Sequence, residues 1–182
     1  MTDNKQNIEF EIERIVNSGY LKESNLYQIS DFYFDFEKDS YWIINGGIEL
    51  VFPNGAITFG WKSEFNMFNI ITGKFNELYE FDNYKTIKDD GVSKLKTLAG
   101  KKVTQVDLKW IEFEVYDPDL EDFVKKETVI EINLEFDSKE KLQIASINYE
   151  LTVDDQPYNF RNAVDSELLI ALNRKFDLNN AG

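Results

Sequence analysis

The chain predicts an α+β domain, mainly antiparallel β-sheet, with an N-terminal helix packed on or beside the sheet and one short internal helix. Three observations carry this. One helical apolar stripe opens the chain. Period-two apolar runs then recur, each ended by turn residues. The regular alternation of strand and helix that a parallel βαβ sheet needs is missing. A length of 182 residues fits a single domain, 1–182, or two small related halves.

The opening helix rests on Ile8, Ile12, Ile15 and Val16, spaced as one apolar stripe, with Glu9, Glu11 and Glu13 on its other faces. Asn17-Ser18-Gly19 stops it, and Gly19 suits a left-handed position after the last turn. From Leu26 the period becomes two: Phe32, Phe34 and Phe36 alternate with Tyr33, Asp35 and Glu37. Residues 37–40 read as a turn and Tyr41–Ile44 as strand, and Asn45-Gly46-Gly47 breaks or bulges the pattern. Ile48, Leu50 and Phe52 then point one way, Pro53-Asn54-Gly55 turns the chain, and Ile57, Phe59 and Trp61 return on the same face. Asn-Gly between alternating apolar runs is the strongest hairpin signal in the chain.

Residues 63–90 are less regular. Phe65, Met67, Phe68, Ile70 and Ile71 mark either another strand or a short helix. Phe75, Leu78, Tyr79 and Phe81 mark a helical turn or a loop covering the sheet. After the turn at Asp89-Asp90-Gly91, Val92, Leu95 and Leu98 fit a short helix ended by Gly100. A second β block follows. Val106, Leu108 and Trp110 share one parity and Ile111, Phe113 and Val115 the other, which predicts a bulge between Trp110 and Ile111. Asp117-Pro118-Asp119 opens a polar loop. Ile130, Ile132, Leu134 and Phe136 alternate with Glu131, Asn133 and Glu135 as a half-buried strand. Residues 137–140 turn it, and Leu142 and Ile144 return. Ala145, Ile147, Tyr149 and Leu151 change parity, which predicts a second bulge. Leu168–Leu172 reads as a buried strand with a turn at 173–175.

Two segments read alike. Ile48–Phe52, a turn, and Ile57–Phe59 match Ile132–Phe136, a turn, and Leu142–Ile144, with Trp42 and Trp110 preceding them. One reading is a duplicated βββ unit, residues 26–80 and 102–178. The other is that any two amphipathic hairpins share such a pattern.

Composition narrows the function. The chain has no His and no Cys, and 34 acidic against 20 basic side chains, a net charge of −14. Ser-His-Asp and Cys-His triads are excluded, and zinc loses its usual ligands. Carboxylates alone can catalyse glycoside hydrolysis when held roughly 5–9 Å apart. With 34 acidic residues some such pair arises by chance, and no motif singles one out. The chain therefore reads as non-catalytic and free of cofactors.

The charge opposes nucleic acid and anionic membranes and favours a basic partner. No secretory signal and no run of about 18 apolar residues is seen. With the absent Cys, this leads to a cytoplasmic expectation.

The expected partner-binding residues are Tyr33 with Asp35, Tyr116 with Asp117, and the acidic loop Asp119, Glu121 and Asp122, because Tyr beside carboxylates suits a basic protein surface. The same loop has alternate carboxylates of the kind that bind Ca²⁺, but it lacks the EF-hand Gly and distal Glu, so a solvated turn is the better reading. The aromatics Phe32, Phe34, Phe52, Phe59, Trp61 and Trp110 are core candidates. In a curled sheet they would instead line a cavity for an apolar ligand.

Ile48-Glu49-Leu50-Val51-Phe52-Pro53-Asn54-Gly55 with Phe59-Gly60-Trp61, then Leu98-Ala99-Gly100-Lys101-Lys102-Val103, resembles small bacterial β-rich domains. Some of these resemble immunity proteins that neutralise toxins delivered between bacteria. The resemblance covers about half the chain in short patterns and carries over no functional residue. It implies tight binding to a toxin domain, often through acidic surface. The chain is expected to be a monomer or weak dimer.

Overall fold

The computed structural model describes residues 2–28, 34–36, 40–62, 67–78, 85–87, 93–117, 119–165 and 167–180. Helix α1 (Thr2–Val16) leads to strands β1 (Glu23–Gln28), β2 (Phe34–Phe36), β3 (Tyr41–Ile44), β4 (Gly46–Phe52), β5 (Gly55–Lys62) and β6 (Met67–Thr72). Short helix α2 (Phe75–Leu78), strand β7 (Lys85–Thr86) and short helix α3 (Ser93–Lys96) follow. The long strands β8 (Val103–Asp117), β9 (Asp122–Phe136) and β10 (Lys141–Leu151) precede β11 (Pro157–Asn162), β12 (Glu167–Leu172) and β13 (Asn179–Asn180). The fold is α+β and mainly antiparallel.

The first sheet has the order β6-β5-β4-β1-β7. In the second, β2, β3, β12, β10, β9 and β8 pair in that order, and β11 joins β10 beyond the stretch that β9 occupies. Every named pairing is antiparallel except the short β11–β13 contact.

The main core lies between the sheets and under α1. Ile48, Leu50, Phe52, Ile57 and Phe59 come from the first sheet. Trp42, Ile44, Ile132, Ile144 and Ile170 come from the second, and Ile12, Ile15 and Val16 from the helix. Removing this apolar area from water is what chiefly holds the layers together. α1 also ties the two sheets. Glu9 Oε1 accepts from Trp110 Nε1 at 2.9 Å, and Glu11 Oε2 accepts from Thr72 Oγ1 at 3.0 Å. Lys5 Nζ sits over the Trp110 ring at 5.1 Å.

Both sheets carry a second covered face. On the first, Phe75 of α2 is fully buried and stacks on Tyr27 with centroids 4.1 Å apart. The close approach needs glycine at position 47, where a Cβ would lie 2.3 Å from Phe75 Cε2; at Gly46 a Cβ would meet the Tyr27 carbonyl oxygen at 1.8 Å. On the second sheet, residues 173–180 cross Tyr41, Ile43, Ala145, Ile147, Leu169 and Ala171 and add Phe176 and Leu178. Gln143 fastens this strap by a reciprocal pair: Phe176 N donates to its Oε1 at 2.8 Å, and its Nε2 donates to the Phe176 carbonyl at 3.0 Å. Lys109 Nζ donates to the Leu178 carbonyl at 3.1 Å and to Asn162 Oδ1 at 2.6 Å.

Several expectations change. Gly19 has φ +152°, outside the left-handed helical region near +57°. The break at 45–47 is no bulge: the chain leaves the second sheet after Ile44 and enters the first at Gly46. Phe52 pairs with Gly55, so Pro53-Asn54 alone makes the hairpin turn. The irregular 67–72 segment is a strand, and Phe75–Leu78 is a helical turn. The first bulge lies one step earlier than expected. Lys109 faces Glu131 but Trp110 faces Val129, so the extra residue is Ile130 on β9. Pairing of β10 with β12 runs unbroken from Leu142 to Ile147, so no bulge separates Ile144 from Ala145; the irregularity falls at Asn148–Glu150, against β11. The parity of β10 changes because both of its faces are covered. The Leu168–Leu172 strand stands as read. Phe32, Phe65, Tyr79, Phe81, Val92 and the turn at 89–91 lie outside the described residues.

Candidate functional site

β8 and β9 pair from Val103 to Asp117, but β10 supports β9 only over Glu131–Glu135. Past the bulge, Trp110, Thr128 and Val129 still pack against the body, and residues 112–117 and 122–127 continue as a two-stranded arm. Period-two alternation builds it. Phe113, Val115 and Val124 are half-buried on one face, while Glu112, Glu114, Tyr116, Phe123, Lys125 and Glu127 are exposed on the other. Isolated hairpins are marginal in water, so the arm depends on its rooting in the sheet.

At the tip, Tyr116 pairs with Phe123 across the ladder, and their rings meet edge to face with centroids 5.5 Å apart. Tyr116 is 52% exposed, Leu120 65% and Phe123 64%. Carboxylates surround these apolar groups. Asp117 and Asp122 form the last ladder pair, and Asp119 and Glu121 occupy the turn between them. Asp117 Oδ1 accepts from the Asp119 amide at 3.0 Å, and Glu121 takes φ +50°, which closes the turn. Lower on the arm, Lys125 Nζ donates to Glu112 Oε1 at 2.6 Å, and this hydrogen bond and charge raise the ammonium pKa.

Five of the seven expected binding residues, Tyr116, Asp117, Asp119, Glu121 and Asp122, therefore meet at one tip. Asp35 does not join them. It pairs with Trp42 through β2, at the opposite edge of the second sheet from the arm. Tyr33 lies outside the described residues. Sequence reading missed Leu120 and Phe123. One apolar residue inside the acidic turn and another just after it were the available signal, and periodicity alone cannot say whether such residues are covered.

Two buried carboxylates have structural duties. Glu49 accepts from the Phe75 amide at 2.6 Å and from Asn25 Nδ2 at 3.1 Å, so it holds the start of α2. Burial, with Glu49 beside it, pushes the Tyr27 phenol up to about 12. Glu131 accepts from Gln143 Nε2 at 2.8 Å and Asn133 Nδ2 at 2.9 Å beneath the strap. Among the described residues no group of three or more His, Cys, Asp or Glu is placed to hold a metal ion.

A groove of about 660 Å³ runs between α1 and β6, lined by Ile8, Phe10, Glu11, Asn69, Ile70 and Ile71. It lies beside the helix at the edge of the first sheet, where Ile70 is the cross-strand neighbour of Phe59, while Phe52 and Phe59 are themselves fully buried in the core. No described helix is long and apolar enough to cross a membrane. Comparison with family models, curated proteins and solved structures finds no match to this chain.

Proposed function

We propose that the chain is a non-catalytic cytoplasmic binding protein, an immunity-type inhibitor that binds and neutralises a basic toxin domain. The observation that carries this reading is the β8–β9 arm. Its tip sets three exposed apolar side chains among carboxylates, and residues 112–127 hold seven acidic groups against Lys125 and Lys126. Aromatic anchors bounded by charge are the usual make-up of an interface hot spot. The charge steers a basic partner into encounter, and the rings supply the short-range contact.

The test uses the polypeptide encoded beside this chain's gene. Expected are a stable complex with a basic domain of that polypeptide and protection of a host that expresses it. Replacing Asp119, Glu121 and Asp122 by Asn, Gln and Asn slows association and flattens its salt dependence, with little change in dissociation. A metabolic neighbour that forms no complex, or a complex whose association rate and salt slope ignore the triple variant, overturns the reading.

A second reading has its own observation. The groove between α1 and β6 exceeds the ~300 Å³ at which small-ligand sites begin, and Ile8, Phe10 and Ile70 give it apolar side chains. It would take a small apolar ligand. Native mass spectrometry after mild purification decides it: a retained lipid-like mass supports it, and a bare chain counts against it.

A further inference from the structure

We propose that the β10–β11 hairpin end is a second contact point, which forms with the β8–β9 tip one composite surface for a basic protein partner. This rests on the binding reading above and deepens it. Eight large hydrophobic residues are exposed among the described residues, and six of them belong to these two hairpin ends. Tyr116, Leu120 and Phe123 are on the arm. Leu151, Val153 and Tyr158, at 48%, 99% and 45% exposure, are on the second end. Phe10 and Tyr20 are the other two.

Pairing places both ends on the same side of the sheet. β10 returns antiparallel to β9, from Lys141 opposite Glu135 to Ala145 opposite Glu131. It therefore runs toward the arm's tip and then pairs with β11 from Ile147 to Leu151. Ile147 pairs with Glu167 of β12 and with Asn162 of β11, so these lie on opposite edges and β11 takes β9's place beside β10. The β9–β10 pairing ends at Ala145 opposite Glu131, and beyond it both hairpins run on toward the same end of the second sheet.

The second end shares the mix of apolar and acidic groups, with Leu151 and Tyr158 on opposite faces of the hairpin because they pair with Pro157 and Glu150 respectively. Glu150, Asp154 and Asp155 flank its apolar residues, against Arg161 alone. It is also braced. Asn159 Nδ2 donates to Glu150 Oε1 at 2.7 Å, and Asp155 and Asn159 hold φ +56° and +53°. A standard interface covers about 800 Å² on each partner. Each end alone offers three large exposed apolar side chains, and the two ends together double that number. The matching negative charge opposes a second copy of this chain and selects a basic protein.

The test uses isotope-labelled full-length protein and a soluble peptide of alternating Lys and Leu, with oligolysine of equal charge as control. Amide shifts are expected at 116–123 and 150–158 together, with weaker binding of oligolysine. Leu151→Ser/Val153→Ser is expected to weaken peptide binding about fivefold or more, the level at which a contact counts. If Leu151→Ser shifts the melting temperature, Val153→Ser alone decides, because that side chain is 99% exposed. Peptide binding that depends on Tyr116 and Phe123 but ignores 151 and 153 overturns the composite surface and leaves the arm reading standing. Shifts at neither end overturn both. Equal binding of oligolysine, or the same shifts appearing on self-association without peptide, overturns the composite surface.

Discussion

The two halves of β9 share one sequence rhythm and occupy opposite environments. In the distal half, Val124-Lys125-Lys126-Glu127 stands in a two-stranded arm, and Lys125 and Glu127 face solvent. In the proximal half, Ile130-Glu131-Ile132-Asn133-Leu134 lies between β8 and β10, and Glu131 is buried at 5% exposure. Alternation states which side chains share a face. Whether that face is covered is decided by segments far away in the chain: β10, β11 and the strap at 173–180. The arm keeps its charged and aromatic groups available because β11 takes the place beside β10 that continued pairing with β9 would have filled.

The largest expected effect compares apolar truncations on the two halves. Ile132→Ala removes a side chain 1% exposed in the main core and costs about 2–5 kcal/mol. Val124→Ala, on the half-buried arm face, costs less than about 1 kcal/mol. Urea unfolding of both variants checks this, and equal losses would mean that the arm is packed as firmly as the body.

Charge removal sharpens the contrast. Glu131→Ala removes the acceptor of the buried Gln143 and the half-buried Asn133 and costs about 1–3 kcal/mol. Because Gln143 also pairs with the Phe176 backbone, faster hydrogen exchange at the Phe176 amide is expected with it. Glu127→Ala stays within about 0.5 kcal/mol. A stable, slowly exchanging Glu131→Ala protein would show that the strap holds without this network.

Hydrogen exchange of the unmodified chain tests the same boundary without substitution. Paired amides of the arm, residues 112–116, are expected to open locally, whereas those of Ile132 and Ile144 exchange only on global unfolding. Uniform protection along β9 would contradict the division.

The smallest effect is on acid stability. The Lys101 ammonium, hydrogen-bonded to Glu140 at the β9–β10 turn, holds the Glu140 carboxyl down at about 2. An unfolded glutamate titrates near about 4.3. The folded pKa is the lower one, so the contribution is complete above the unfolded value and is lost as pH falls toward the folded value. Glu140→Gln is expected to flatten the acid limb of the stability curve over that window. Identical limbs would falsify the pairing.

Much of the architecture was legible in the chain. Ile8, Ile12, Ile15 and Val16 specify a helix because their spacing matches 3.6 residues per turn. Ile48–Phe52 and Ile57–Trp61 specify a hairpin because alternation leaves one register that buries the apolar set. The acidic tip of the arm was legible too, since consecutive turn residues stay together whatever the rest of the chain does. Asp35 was misplaced for the opposite reason. Residues 35 and 117 share a neighbourhood only if the strand order allows it, and local patterning carries no strand order.

Composition by itself also determined the chemistry the chain lacks: without His or Cys, no thiolate and no imidazole is present wherever the strands go. Tertiary structure alone decided which faces are wet. Gly46-Gly47 became a crossing between sheets, where two backbones and the Phe75 ring approach too closely for a Cβ. The odd residues of β10 became a second core because Phe176 and Leu178 fold back over them. Leu120, Phe123, Leu151 and Val153 remain exposed because nothing sufficient folds back over theirs. Burial is a property of what arrives from elsewhere in the chain, and a local sequence pattern specifies only the face that waits for it.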